Sequence, residues 1–143
     1  MASFSCNDID GFVLDMQEFA RLPENVIEDI IRSGAEVVRK AHVEAINSQL
    51  RNTGKLMGSP GIKIVKGSMN AYALIYPMGT HHTYHAKKGD ATARNADLGF
   101  VHEFGGHGNA PLAWMLTANE KSADATAEAE EKVYDDWLTS LNL

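Results

Sequence analysis

Six histidines and a few carboxylates are the residues of this 143-residue chain whose types and spacing could do chemistry. In His102-Glu103-Phe104-Gly105-Gly106-His107 a carboxylate stands between two imidazoles, the ingredients of a zinc hydrolase. The zinc-binding helix motif needs its histidines four apart, so that both lie on one helical face. Here they are five apart, two glycines intervene, and the surrounding residues read as a strand. His81, His82 and His85 could gather a metal with His102 or His107 completing the set. No cysteine or clustered carboxylate accompanies them, so no metal and no cofactor are expected.

Other short motifs fail on context. Thr53-Gly54-Lys55-Leu56 resembles the end of a phosphate-binding loop, but no glycine lies five residues before Gly54 and no hydroxyl residue follows Lys55. Ser59 and Ser68 have no nucleophile-elbow setting. Asp135-Asp136 and Glu130-Glu131 sit in a helical pattern and read as solvated surface. Cys6 is the single cysteine, which excludes an internal disulfide and suits a reducing compartment. With no coherent set of acid, base and nucleophile, the expectation is a protein that is not an enzyme.

Bulk properties agree with one soluble domain spanning 1–143. Apolar residues make up 44% and charged residues 22%, and no run approaches the roughly 18–20 apolar residues of a membrane helix. The start, MASFSCNDID, is acidic where a secretory signal would be basic. The net charge of −6 is unevenly spread: residues 1–50 carry −5, 51–94 carry +6, 95–119 carry −2 and 120–143 carry −5. Such opposite poles suit subunits that pack head to tail. The candidate interface residues are Lys87, Lys88 and Arg94 of the basic stretch, with His81, His82 and His85. A dedicated nucleic-acid binder would be basic overall, so that role is disfavoured.

The elements that must position these residues follow from periodicity. Residues 1–22 form an N-terminal segment in which Phe12, Val13, Leu14, Met16 and Phe19 are apolar. Pro23 opens a helix of about 23–51, its stripe Ile27, Ile31, Val38, Ala41 and Ala45, widened by Ile30, Val37 and Ile46. Asn52 and Gly54 can end it. Strands follow at about 62–68 and 70–77, joined by a tight reversal at 67–70. Residues 79–97 read as a long polar loop, ordered only against a neighbour. A third strand is expected at 98–104, with Leu98, Phe100, His102 and Phe104 on one face. Pro111 starts a helix carrying Leu112, Trp114, Met115 and Leu116. Residues 120–141 are helical too, with Ala123, Ala127, Glu130, Tyr134, Trp137 and Leu141 along one stripe. The class is α+β: a long N-terminal helix, a small antiparallel sheet of three to four strands with a long loop, then C-terminal helices.

The order of the pieces resembles a known family. A long helix ends in Asn52-Thr53-Gly54-Lys55-Leu56, and a strand pair contains Tyr72-Ala73-Leu74-Ile75-Tyr76. Then come Gly99-Phe100-Val101-His102-Glu103-Phe104-Gly105-Gly106 and Ala110-Pro111-Leu112-Ala113-Trp114-Met115, leading into a terminal helix. This looks like the tail-completion, or head–tail joining, family of long-tailed bacteriophages and prophages, over roughly residues 23–142. His102 interrupts the family's Val-Glu-Phe-Gly. The resemblance implies a structural virion protein of the tail and neck, assembled in the host bacterial cytoplasm. It would form a homo-oligomeric ring, commonly a hexamer, between a tail tube or terminator protein and the head connector. DNA would be only passing cargo, and no membrane would be involved. The alternatives are a tail terminator or connector stopper of the same particle, then a binding or toxin module outside any phage, then a metal-dependent hydrolase.

Overall fold

The computed structural model describes residues 22–50, 54–67 and 70–141. The apolar segment expected over 1–22, apart from Leu22, lies outside the described residues, as do Cys6, Asn52, Thr53 and Ser68. The α+β class is as expected, with helices flanking four short strands.

Helix α1 spans Glu24–Gln49. Pro23, in extended conformation before it, accepts the amides of Val26 and Ile27, which would otherwise be orphaned at the helix start. Its buried face is Val26, Gly34, Ala35, His42, Ala45 and Ile46. The expected stripe is therefore rotated: Ile27, Ile31 and Val38 are only half-buried. The reason is that α1 packs against two neighbours, a strand pair and a second long helix. The small residues Gly34 and Ala35 mark the close approach, and the larger apolar side chains fill its flanks.

Strands β1 (Pro60–Lys66) and β2 (Ala71–Pro77) pair antiparallel, Ile62 opposite Ile75 and Ile64 opposite Ala73. The reversal between them is closed by the Gly67 amide donating to the Asn70 carbonyl at 2.7 Å. Lys66 ties the pair to the first turns of α1, reaching Glu28 at 2.6 Å and Glu24 at 3.3 Å. Tyr72 and Leu74 lie on the outer face and are largely exposed.

Three expectations are corrected downstream. The long loop at 79–97 is instead a second hairpin, β3 (Thr80–Ala86) and β4 (Gly89–Arg94), so the four strands form two separate two-stranded ladders. Only Lys87 and Lys88 lie between the strands, and Gly89, at φ 114°, supplies the left-handed backbone that the reversal needs. Thr80, Thr83 and Thr92 favour the extended chain.

The expected strand at 98–104 is a helix, α2 (Asn95–Phe104). Its inward residues are Asn95, Gly99 and Glu103, spaced by four, while Phe100 and Phe104 share the outer face. Gly99 is needed where it stands: a Cβ there would lie 2.8 Å from a Pro77 ring carbon.

The two helical stretches expected after Pro111 are one, α3 (Trp114–Ser140), and it begins beyond Pro111, after Ala113 in left-handed conformation. It runs along α1, with Ser33 donating to the Ala129 carbonyl at 3.2 Å. The tight core sits where the end of α1 meets the start of α3, and comprises Ala45, Ile46, Leu50, Leu56, Trp114 and Ala118. Among the described residues no helix is long and apolar enough to cross a membrane.

Candidate interaction surface

The six candidate residues fall on or beside the β3–β4 hairpin. Lys87 and Lys88 form its tip. His85 stands opposite Asp90 near the tip, and its Nδ1 shares a hydrogen bond with the Asp90 carboxylate. His81 is the extra residue of a β-bulge near the foot, between the pairs Thr80–Arg94 and His82–Ala93. A bulge re-aims a side chain that alternation would send to the opposite face. It brings the His81 and His82 rings together, their Nδ1 atoms 2.8 Å apart. Lys55 donates to the His81 carbonyl at 3.0 Å.

Arg94 is turned away from the tip. Its guanidinium holds Asp97 on two oxygens, at 3.0 and 2.8 Å, fastening the foot of the hairpin to α2. That hydrogen bonding keeps the Asp97 carboxyl below its ordinary range. Asn95 completes the joint: its amide donates to the Gly79 carbonyl and its side chain to the Met78 carbonyl. The expected cluster is thus split, with a charged tip at one end and an anchored arginine at the other.

The histidines do not converge. Among the described residues no three of His, Cys, Asp and Glu could hold a metal ion together. His102 is on α2, and His107 is in the following turn at φ 49°. Glu103, the carboxylate of the hydrolase-like motif, is buried and occupied. It accepts the backbone amides of Met115 and Leu116 at the start of α3. The carbonyls of His102 and Glu103 accept the amides of Leu112 and Ala113. Residues 102–116 are therefore one hydrogen-bonded joint between two helices, and the glycines at 105, 106 and 108, all at positive φ, make its turn.

His42 escaped the sequence reading. It is 1% exposed, inside α1, with Nε2 hydrogen-bonded to the Asn119 carboxamide oxygen at 2.8 Å and its ring edge-on to Trp114. Its Nδ1 is buried with no partner among the described residues. Burial pushes the imidazole below its ordinary value, while Asn119 and the charge of Glu103 act the other way. Nothing in a helical run of mixed residues marks such a position in advance.

Two surface features complete the picture. Around the α2–α3 joint Phe100, Phe104, Leu112 and Leu116 are exposed, Phe104 at 72% and Leu116 at 54%. Single exposed apolar residues are ordinary, whereas these four lie around one joint. On α3, Glu120, Asp124, Glu128, Glu131 and Asp135 are all exposed and fall at helical spacing on one side, away from the face that packs on α1. A shallow depression of about 280 Å³ lies between α1 and α3, lined by Val37, Lys40, Ala41, Glu44, Lys121 and Ser122. A second, of about 300 Å³, lies beside the joint, lined by Gln49, Leu50, His102, Asn109, Ala110 and Leu112. Neither gathers a set of groups suited to catalysis. No protein-family model matches the chain, and neither does any curated protein or solved structure.

Proposed function

We propose that this chain is a structural subunit of a tailed phage particle, acting at the junction of tail and head. It assembles with copies of itself into a ring that completes the tail and receives the head connector. The α2–α3 joint carries the reading. Its most chemical-looking residue, Glu103, is consumed in holding α3, and Phe100, Phe104, Leu112 and Leu116 are exposed around it. The motif order supports the same reading, because the Glu103-Phe104-Gly105-Gly106 and Ala110–Met115 segments meet within that joint. The separation of acidic and basic surface onto different elements is what a head-to-tail ring uses. The test is the particle itself. Mass spectrometry of purified tailed particles should find the chain, and antibody labelling in electron micrographs should place it at the neck. Its absence from complete particles overturns the proposal.

A further inference from the structure

The β3–β4 hairpin is anchored at its foot alone among the described elements. It packs on the start of α2 and makes no appreciable contact with α1 or α3. The face carrying Thr83, His85, Asp90 and Thr92, together with Lys87 and Lys88 at the tip, is exposed, while Ala91 and Ala93 on the other face are half-buried. A two-stranded ribbon with an exposed face is marginal in water by itself. Its tip carries two cations, Lys87 and Lys88, neither in an ion pair with a described residue. The outer face of α3 carries the opposite sign, and none of Glu120, Asp124, Glu128, Glu131 and Asp135 is ion-paired with a described residue.

Length matches as well as charge. The seven residues of β3 extend about 24 Å at roughly 3.4 Å per residue. The run from Glu120 to Asp135 covers about 22 Å at 1.5 Å per residue. Within one chain the ribbon and this face do not pack together. We infer that the β3–β4 ribbon of one copy lies along the outer face of α3 of a second copy, with Lys87 and Lys88 against its carboxylates. This rests on the ring assembly proposed above and names the surfaces that build it. A second copy fits better than DNA: the ribbon carries Asp90 beside its lysines, and the chain as a whole is at −6.

The full-length protein is measured by sedimentation velocity and mass photometry over a concentration series. K87E/K88E and, separately, E128K/E131K should each weaken self-association by about tenfold or more. Combining all four changes in one chain should restore it, because the attraction is re-formed with signs exchanged. E128Q/E131Q should weaken it less and reduce the sensitivity to added salt. All these positions are exposed, and circular dichroism confirms folding of each variant. Self-association indifferent to every change, a four-fold variant no better than either pair, or a wild type that stays monomeric overturns the inference. So does retarded migration of labelled duplex DNA that K87E/K88E abolishes while self-association persists. Charge-independent rings found at the neck would remove this inference alone. Charge-dependent rings in a protein missing from particles would remove the neck assignment alone.

Discussion

The carboxylate of Glu103 accepts the backbone amide of Met115 at 2.6 Å, so the end of one helix caps the start of the next. Helix α3 has no cap of its own, because Ala113 precedes it and offers no side-chain acceptor. A negative charge at a helix N-terminus also complements the partial positive charge there.

Removing that acceptor should therefore unfasten α3 where the core is tightest. Glu103→Ala is expected to lower the unfolding free energy by about 1–2 kcal/mol, the usual range for a lost N-terminal cap. Glu103→Gln, which keeps an acceptor oxygen without the charge, should cost less. Urea denaturation gives the order, and a Gln variant weaker than the Ala variant would contradict the capping role.

Two helical glycines should respond differently to the same change. Alanine at Gly99 gains about 1 kcal/mol of helix propensity. Its methyl, however, meets the Pro77 ring at 2.8 Å and Trp114 at 3.4 Å, neither of which can move freely. A net loss of about 1–2 kcal/mol follows from overpacking. Alanine at Gly34 meets first the side chain of Glu130, which burial already disfavours as an anion and which is more flexible than a proline ring. Gly34→Ala should cost less than Gly99→Ala, because the Glu130 side chain can turn aside and the Pro77 ring cannot. Equal melting losses in the two variants would show that the contacts do not decide the outcome.

How far the fold was legible depends on where apolar periodicity coincides with burial. Helix α1 announced itself through Pro23 and its three- and four-residue steps, yet its buried face was misplaced because Gly34 and Ala35 are small and carry no hydrophobic signal. Helix α2 read as a strand because Leu98, Phe100, His102 and Phe104 alternate, whereas the inward residues Asn95, Gly99 and Glu103 are polar or absent as side chains. The ribbon at 80–94 reads as a loop because a ladder with an exposed polar face shows little apolar alternation. The signals that were present are its threonines, the Ala91–Thr92–Ala93–Arg94 alternation and the Lys87-Lys88-Gly89 turn. Of the candidate residues, Lys87 and Lys88 are exposed, at the tip of a hairpin where a long loop is expected. The separate anchoring of Arg94 depends on Asp97, a contact that requires the α2 geometry.

His42 sets a pH dependence with a definite sign. Burial pushes its imidazole below the ordinary 6.5, so the unfolded chain holds the proton more tightly than the folded one. The stabilisation is complete above that value and declines as the pH falls through it. The carboxylates held down by ion pairing, Glu28 by Lys66 and Asp97 by Arg94, begin to lose theirs only below the ordinary 4.5 and 3.8. The denaturation midpoint should drop between about pH 7.5 and about pH 5.5, and His42→Gln should flatten that drop. An equal slope in both proteins would move the cause elsewhere.

Trp114 links the joint to the core, fully buried, its indole N–H donating to the Gly99 carbonyl at 2.9 Å. Trp114→Phe leaves a gap and removes that bond, at a cost of about 1–3 kcal/mol. Thermal unfolding followed by near-ultraviolet circular dichroism should show the loss. A variant as stable as the parent would mean that the site relaxes around the smaller ring.

The pairing of α1 with α3 also sets the pace at which the chain can fold. The hydrogen bond from Ser33 to Ala129 joins residues 96 apart in sequence, and the Ile46–Trp114 end of the core is similarly non-local. Both hairpins close locally, but each buries little by itself. The rate-limiting search must therefore bring two distant helices together across an intervening chain, and closing so long a loop costs entropy before contacts repay it. A circular permutant that places α3 directly before α1 would shorten that search and should fold faster at unchanged stability.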